Sequence, residues 1–217
     1  MAYLFRDYEL AVELFLKAVK ENKDDAQIQS RSIRKILKIS LMHQKSKKEI
    51  IKILREAKSV IKENSYLGEN IDEWITQLKD FVRPKVGDGL DKIVQKNLNV
   101  IEDEVLTGDP NNYSVILHYM QGVFSKHLSL NAKSPHTAMA LYWLGLIENS
   151  FHEDFMFSLG DLYLKKCIKE HSKSSYAKKC YKALENSYVL GFTGSSGTSI
   201  PEDIKIELRD LKSYLEN

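Results

Sequence analysis

Proline and glycine are scarce, with 4 and 10 residues in a chain of 217. So few breakers argue against a turn-dense β fold and leave long helices joined by short connections. Cysteine is rarer still. Cys167 and Cys180 are the only two, too few for a disulfide framework and without the Cys-x-x-Cys spacing of a zinc site. They stand at similar distances on either side of the Ser172–Ser175 turn, so an antiparallel helix pair can bring them face to face. Two small buried thiols is the favoured reading. A bridge is the alternative and would point to an oxidising compartment. No stretch approaches the roughly 20 apolar residues of a membrane helix. Met1–Asp7 has no basic patch followed by an apolar core, so no export signal is expected. The chain then reads as cytoplasmic, or as periplasmic or cell-envelope if a signal was removed.

What remains is 43% hydrophobic and 29% charged, the balance of a folded soluble protein rather than a disordered one. Apolar residues recur at helical spacing in ten segments. The predicted helices are Asp7–Glu21, Gln27–Met42, Ser46–Glu63, Glu69–Val82, Leu90–Leu106, Tyr113–Leu130, a helix from Pro135 to about Ser150, Phe155–Glu170, Ser175–Leu190, and a last one from Ser199 to near Leu215. The first should turn Leu10, Ala11, Leu14, Phe15, Ala18 and Val19 inward, and the second Ile28, Ile33, Ile36 and Leu37. Asp7, Asp24 or Asp25, and Ser134 are candidate N-caps, and Ser46-x-x-Glu49 has capping-box spacing. Arg83–Gly89, with Pro84, Gly87 and Gly89, is the weakest point, so the chain divides into a helical part at 1–83 and a helical repeat part at 84–217, within one continuous domain.

Charge is uneven. Met1–Glu63 holds 15 Lys and Arg against 9 Asp and Glu, a surplus of +6, while the rest of the chain is at −4. Lys48, Lys52, Arg55, Lys58 and Lys62 step by three or four, which places them on one helix face as a basic ridge within residues 31–62. Such a ridge suits nucleic acid, an acidic protein or a lipid surface. Aromatics are missing between Phe15 and Tyr66, which argues against stacking on single-stranded bases there. A solvated helix face is the plainer account.

Candidate chemistry is thin. Gly191–Thr198 spaces its glycines by three, as a phosphate cradle does. No Gly-Lys-Ser/Thr follows and no strand precedes it, so a helix end and turn is the better reading. His43, His118, His127, His136, His152 and His171 form no pair at ligand spacing. No acid–base pair, nucleophile or metal set emerges, so neither enzyme nor cofactor is expected.

Two segments begin alike 40 positions apart, Lys133-Ser134-Pro135-His136 through Leu144 and Lys173-Ser174-Ser175-Tyr176 through Leu184. A helix-pair repeat gives this pattern, each pair burying one face by stacking on its neighbours. Leu159-Gly160-Asp161-Leu162-Tyr163 resembles the Leu-Gly-x-x-Tyr core of tetratricopeptide-like repeats. Glu170–Ala177 is similar to the junction of their bacterial branch, with Ser172 in place of the usual Pro. Ala140–Gly145 is similar to a first helix and Tyr8–Phe15 to a second. The resemblance covers Asp7–Leu41 and Asn131–Leu190, and Asn64–Leu130 fits it poorly. It implies an all-α chain of antiparallel helix pairs stacked as a TPR-like solenoid of about nine or ten helices. It further implies a non-catalytic scaffold of a bacterial protein, holding a peptide or protein partner in its groove. Its motif residues are packing residues, so none carries over as a site; from the chain's own aromatics, Tyr142, Tyr163 and Tyr181 are the expected groove residues. An anionic partner bound through Lys48, Lys52, Arg55 and Lys58 is the alternative. Oligomeric state is open.

Overall fold

A computed structural model describes residues 7–62, 65–84, 89–107, 110–131, 133–151, 158–195 and 197–216. The fold is all-α. Its helices are α1 Tyr8–Glu21, α2 Ala26–Met42, α3 Lys47–Lys58, α4 Tyr66–Asp80, α5 Leu90–Asn97, α6 Glu102–Thr107, α7 Ser114–Leu130, α8 Thr137–Ser150, α9 Leu159–Glu170, α10 Ser175–Gly191 and α11 Glu202–Glu216. No helix among the described residues is long and apolar enough to cross a membrane.

Local chemistry sets most helix starts. Asp7 accepts from the Leu10 N–H, and Asp25 from those of Gln27 and Ile28, which satisfies amides at the openings of α1 and α2. Ser46 and Glu49 form the full reciprocal capping box of α3. Other boundaries differ from the sequence reading. Ser134 does not cap α8. Its hydroxyl accepts from the His136 N–H at 3.2 Å within a turn, and the helix starts only at Thr137, with His136 at the cap position. The continuous helix expected over Leu90–Leu106 is α5, a 3-10 turn at Asn99–Ile101, and α6. The Asn97 amide donates back to the Ile93 carbonyl at 2.8 Å, the local competition for backbone groups that disfavours Asn inside helices. α3 ends at Lys58, where the Ser59 hydroxyl donates to the Glu56 carbonyl. α4 starts three residues earlier than Glu69, because Ser65 caps it through the Gly68 N–H. The expected start of α9 at Phe155 lies outside the described residues; Ser158 caps the helix at Leu159.

The chain divides into two compact units. One is Met1–Val86 with Asn111–Val123; the other is Gly87–Pro110 with Phe124–Asn217. In the first unit, Val19, Ile33, Leu37, Leu41, Ile50, Leu54, Ile71, Trp74 and Leu78 form a core shared by α1 to α4. A smaller cluster joins Ala11 and Val12 to Ile36 and Ile39. The predicted inward stripes were too wide. Leu10, Leu14 and Ile28 are exposed; α1 buries the face carrying Ala11, Val12 and Val19, and burial on α2 starts at Gln29. Gly122 is a contact glycine, since a Cβ there would meet the Met42 carbonyl oxygen at 2.6 Å.

In the second unit α8 is the centre, with every residue from Thr137 to Ile147 buried. α6 and α9 pack on α8, α10 on both α8 and α9, and α11 on both α9 and α10. α8 and α9 run antiparallel and nearly touch. A Cβ on Gly160 would lie 2.6 Å from the Gly145 carbonyl oxygen, and one on Gly145 would lie 2.6 Å from Leu164. Ser158 donates to the Asn149 Oδ1 at 2.7 Å and Asn149 donates to Asp161 at 3.0 Å, which closes that corner. On α10, by contrast with α8, only Ala177, Cys180, Ala183 and Leu184 are buried.

Cys167 and Cys180 are bridged, which corrects the favoured reading of two free thiols. The bridge ties the last turn of α9 to the second turn of α10, and both residues are fully buried. Closing a loop with a sequence separation of 13 stabilises the fold by about 3 kcal/mol in the chain-entropy account. The glycine-rich stretch after α10 is a small hairpin. Thr193–Gly194 pairs antiparallel with Gly197–Thr198, and Gly197 has φ +105°, a value that L side chains rarely adopt.

Candidate functional site

The basic ridge of the first unit lies on α3. Lys48, Lys52 and Arg55 are exposed, and no ion pair joins any of them to an acidic group among the described residues. They recur at i, i+4 and i+7, so one helix face presents three uncompensated cations over about 10 Å of axis. Lys58 is different, because it is paired with Asp72 of α4. It therefore belongs less to the ridge than to the joint between α3 and α4. Lys62 is exposed and lines an open recess of about 330 Å³ with Lys23, Asp24, Ser59, Val60 and Ile61.

The expected groove tyrosines sit in the second unit, in three different environments. Tyr142, on α8, is 2% exposed. Its hydroxyl donates to Glu102 of α6 at 2.5 Å, and the Lys179 ammonium of α10 reaches the same carboxylate at 2.9 Å. Lys179 lies 5.4 Å from the centre of the Tyr142 ring and 5.6 Å from that of Tyr176, close enough for cation–π attraction. Three helices thus meet at one carboxylate. Burial, then the hydrogen bond to Glu102, pushes the Tyr142 phenol far above its ordinary range. At 2% exposure the ring offers a partner almost no surface. Tyr181, on α10, is half-buried and its hydroxyl donates to Glu185 at 3.5 Å. Tyr163 is half-buried on α9.

A second junction of the same composition joins α9, α10 and α11. Lys165 pairs with Glu207 at 2.7 Å, Tyr188 donates to the other Glu207 oxygen at 3.3 Å, and Lys165 lies 5.8 Å from the centre of the Tyr188 ring. Burial acts to lower the Lys165 ammonium, but its hydrogen bonds to Glu207 and Tyr188 outweigh this and hold it above its ordinary value.

Asp91 and His136 pair at 3.1 Å, with the His127 ring edge-on at 6.3 Å. Burial, then the neighbouring His136, lowers the His127 imidazole. No group of three or more His, Cys, Asp or Glu among the described residues is arranged to hold a metal ion.

Sequence reasoning singled out Tyr142 but missed the residues that enclose it. Tyr176 and Lys179 had a usable signal, since i, i+3 spacing puts them on one face of α10. Glu102 had none, because it lies 40 positions before Tyr142 and only the packing of α6 on α8 brings the two together. No family model, curated protein or solved structure matches the chain.

Proposed function

We propose that the chain is a non-catalytic interaction scaffold that holds a peptide or partner protein in the groove of a tetratricopeptide-like helix stack. The packing order of the second unit carries this reading. α8 packs on α9 and α10 on α11, while α10 also lies on α8 and α9 and α11 on α9, as successive helix pairs of a repeat would. That is how solenoid repeats bury faces that no single pair can cover. Half-buried Tyr163 and Tyr181 offer aromatic area with a polar tip, as recognition surfaces do. The test is capture of partners from the source cell by the immobilised chain, identified by mass spectrometry. Tyr163→Ala with Tyr181→Ala is expected to remove the specific partner and to leave circular dichroism unchanged. Capture indifferent to both substitutions would sink the reading.

A second reading rests on Lys48, Lys52 and Arg55 of α3, which make no ion pair among the described residues. An anionic partner bound there would lose affinity steeply with salt. Lys48→Ala, Lys52→Ala and Arg55→Ala together would abolish binding while the tyrosine variants retained it.

A further inference from the structure

The bridge sits beside the Tyr142 junction in sequence and in space. Cys180 follows Lys179 directly and lies one turn after Tyr176 on α10. Its partner Cys167 anchors that turn to α9, which packs on the helix bearing Tyr142. Only His171–Ser174 connects α9 to α10, and the covalent tie makes the short corner rigid. Both cysteines have no exposed surface. Thiol–disulfide exchange needs a thiolate to reach a sulfur, so in the folded chain it requires local opening. A bridge made for repeated switching is instead exposed or strained.

We infer that the Cys167–Cys180 bridge is a permanent maturation step made in an oxidising compartment, and that the Glu102–Tyr142–Lys179 junction closes fully only in the oxidised chain. This deepens the scaffold reading by saying when and where that wall of the helix stack is completed. The chemistry is exchange with an oxidised dithiol protein. The Cys167 thiolate attacks the donor disulfide, forming a mixed disulfide and releasing one donor thiolate. The Cys180 thiolate then attacks the Cys167 sulfur and releases the second. The chain loses two electrons and two protons, and the donor leaves as a dithiol. Bridges of this kind persist outside the reducing cytosol, so the partner is met there as well.

The test uses the full chain in its own cells. Thiols are trapped by acid quench and maleimide, after fractionation into cytosol and extracytosolic material. Expected is extracytosolic chain without adducts until it is reduced, and with two adducts afterwards. Adducts on both cysteines without reduction, or a bridged chain residing in the cytosol, would overturn the inference. On purified protein, a small thiol reductant is expected to open the native bridge at least ~100-fold more slowly than in urea; equal rates would overturn permanence. After reduction under native conditions, Tyr142 is expected to ionise at a lower pH than in the oxidised chain. An unchanged titration would overturn the link between bridge and junction. Neither readout contains a partner, so failed capture by the intact oxidised chain counts against the scaffold reading alone.

Discussion

Two junctions in the second unit use the same three residue types to opposite ends. At Glu102 the carboxylate serves a phenol. Tyr142 is the buried member, and Lys179 lies outside with its side chain 47% exposed. At Glu207 the carboxylate serves an ammonium. Lys165 is the more covered member at 23%, and Tyr188 is half-buried beside it. The first junction leans on burial of a neutral hydrogen bond to a charged acceptor, where loss of the acceptor strands a donor away from water. The second is an ion pair near solvent, which water and salt can replace. Equal composition therefore does not mean equal energy; what decides is which member is buried.

The strongest way to disturb the comparison is to part the helices beneath it. Gly160→Ala forces a Cβ against the Gly145 carbonyl and is expected to cost about 3 kcal/mol through overpacking. Thermal unfolding would register this as a lowered Tm, while an exposed-site control such as Lys182→Ala leaves Tm in place.

A more selective pair of variants sets one junction against the other. Glu102→Ala is expected to cost about 2 kcal/mol, since the Tyr142 hydroxyl is left buried and unpaired. Glu207→Ala is expected to cost under about 1 kcal/mol and to lose even that in high salt. Urea midpoints at low and high ionic strength separate the two; equal costs would refute the contrast.

How much of this was legible in advance follows from the range of the interactions. The helices were legible because periodicity and caps are local: Asp7, Asp25 and Ser46 announce three starts within a few residues of the bonds they make. Ser134 misled because Ser-Pro also opens a turn, and Pro135 and His136 had yet to follow before the helix began at Thr137. The candidate site was half legible. The α3 ridge could be drawn on a helical wheel, but the pairing of Lys58 with Asp72 depends on how α4 lies against α3. Tyr142 looked like a groove aromatic because nothing near it in sequence names Glu102 or Lys179. The 2% exposure is a product of three helices meeting.

Alkaline titration resolves a smaller difference. The Tyr142 phenol is held above its ordinary 10.0 by burial first and by Glu102 second. An unfolded chain ionises near 10.0 while the folded one does not, so this contribution is intact below that pH and declines as pH rises past it. Phenolate absorbance is expected to show Tyr142 ionising only with unfolding. In Glu102→Gln, Tyr142 should ionise at lower pH than in the parent chain.

The smallest effect lies on the acid side. Burial lowers the His127 imidazole in the folded chain, with His136 adding to the shift. The unfolded chain takes up a proton as pH falls below the ordinary 6.5 while the folded chain resists, so this contribution is present above that pH and lost below it. His127→Gln is expected to flatten the fall in Tm between about pH 7 and pH 5. A fall as steep as the parent's would assign the acid sensitivity elsewhere.

The glycine pair at the α8–α9 crossing has a bearing on how the protein can vary. Neither Gly145 nor Gly160 has room for a Cβ beside Leu164, Asn149 and the facing carbonyl, so the separation of α8 and α9 there depends on both positions staying glycine. The outward residues of α9 can therefore change hydrophobicity, charge or length while the spacing of α8 and α9 stays as it is. The exposed face of α9 can thus be rewritten without redesigning the frame beneath it.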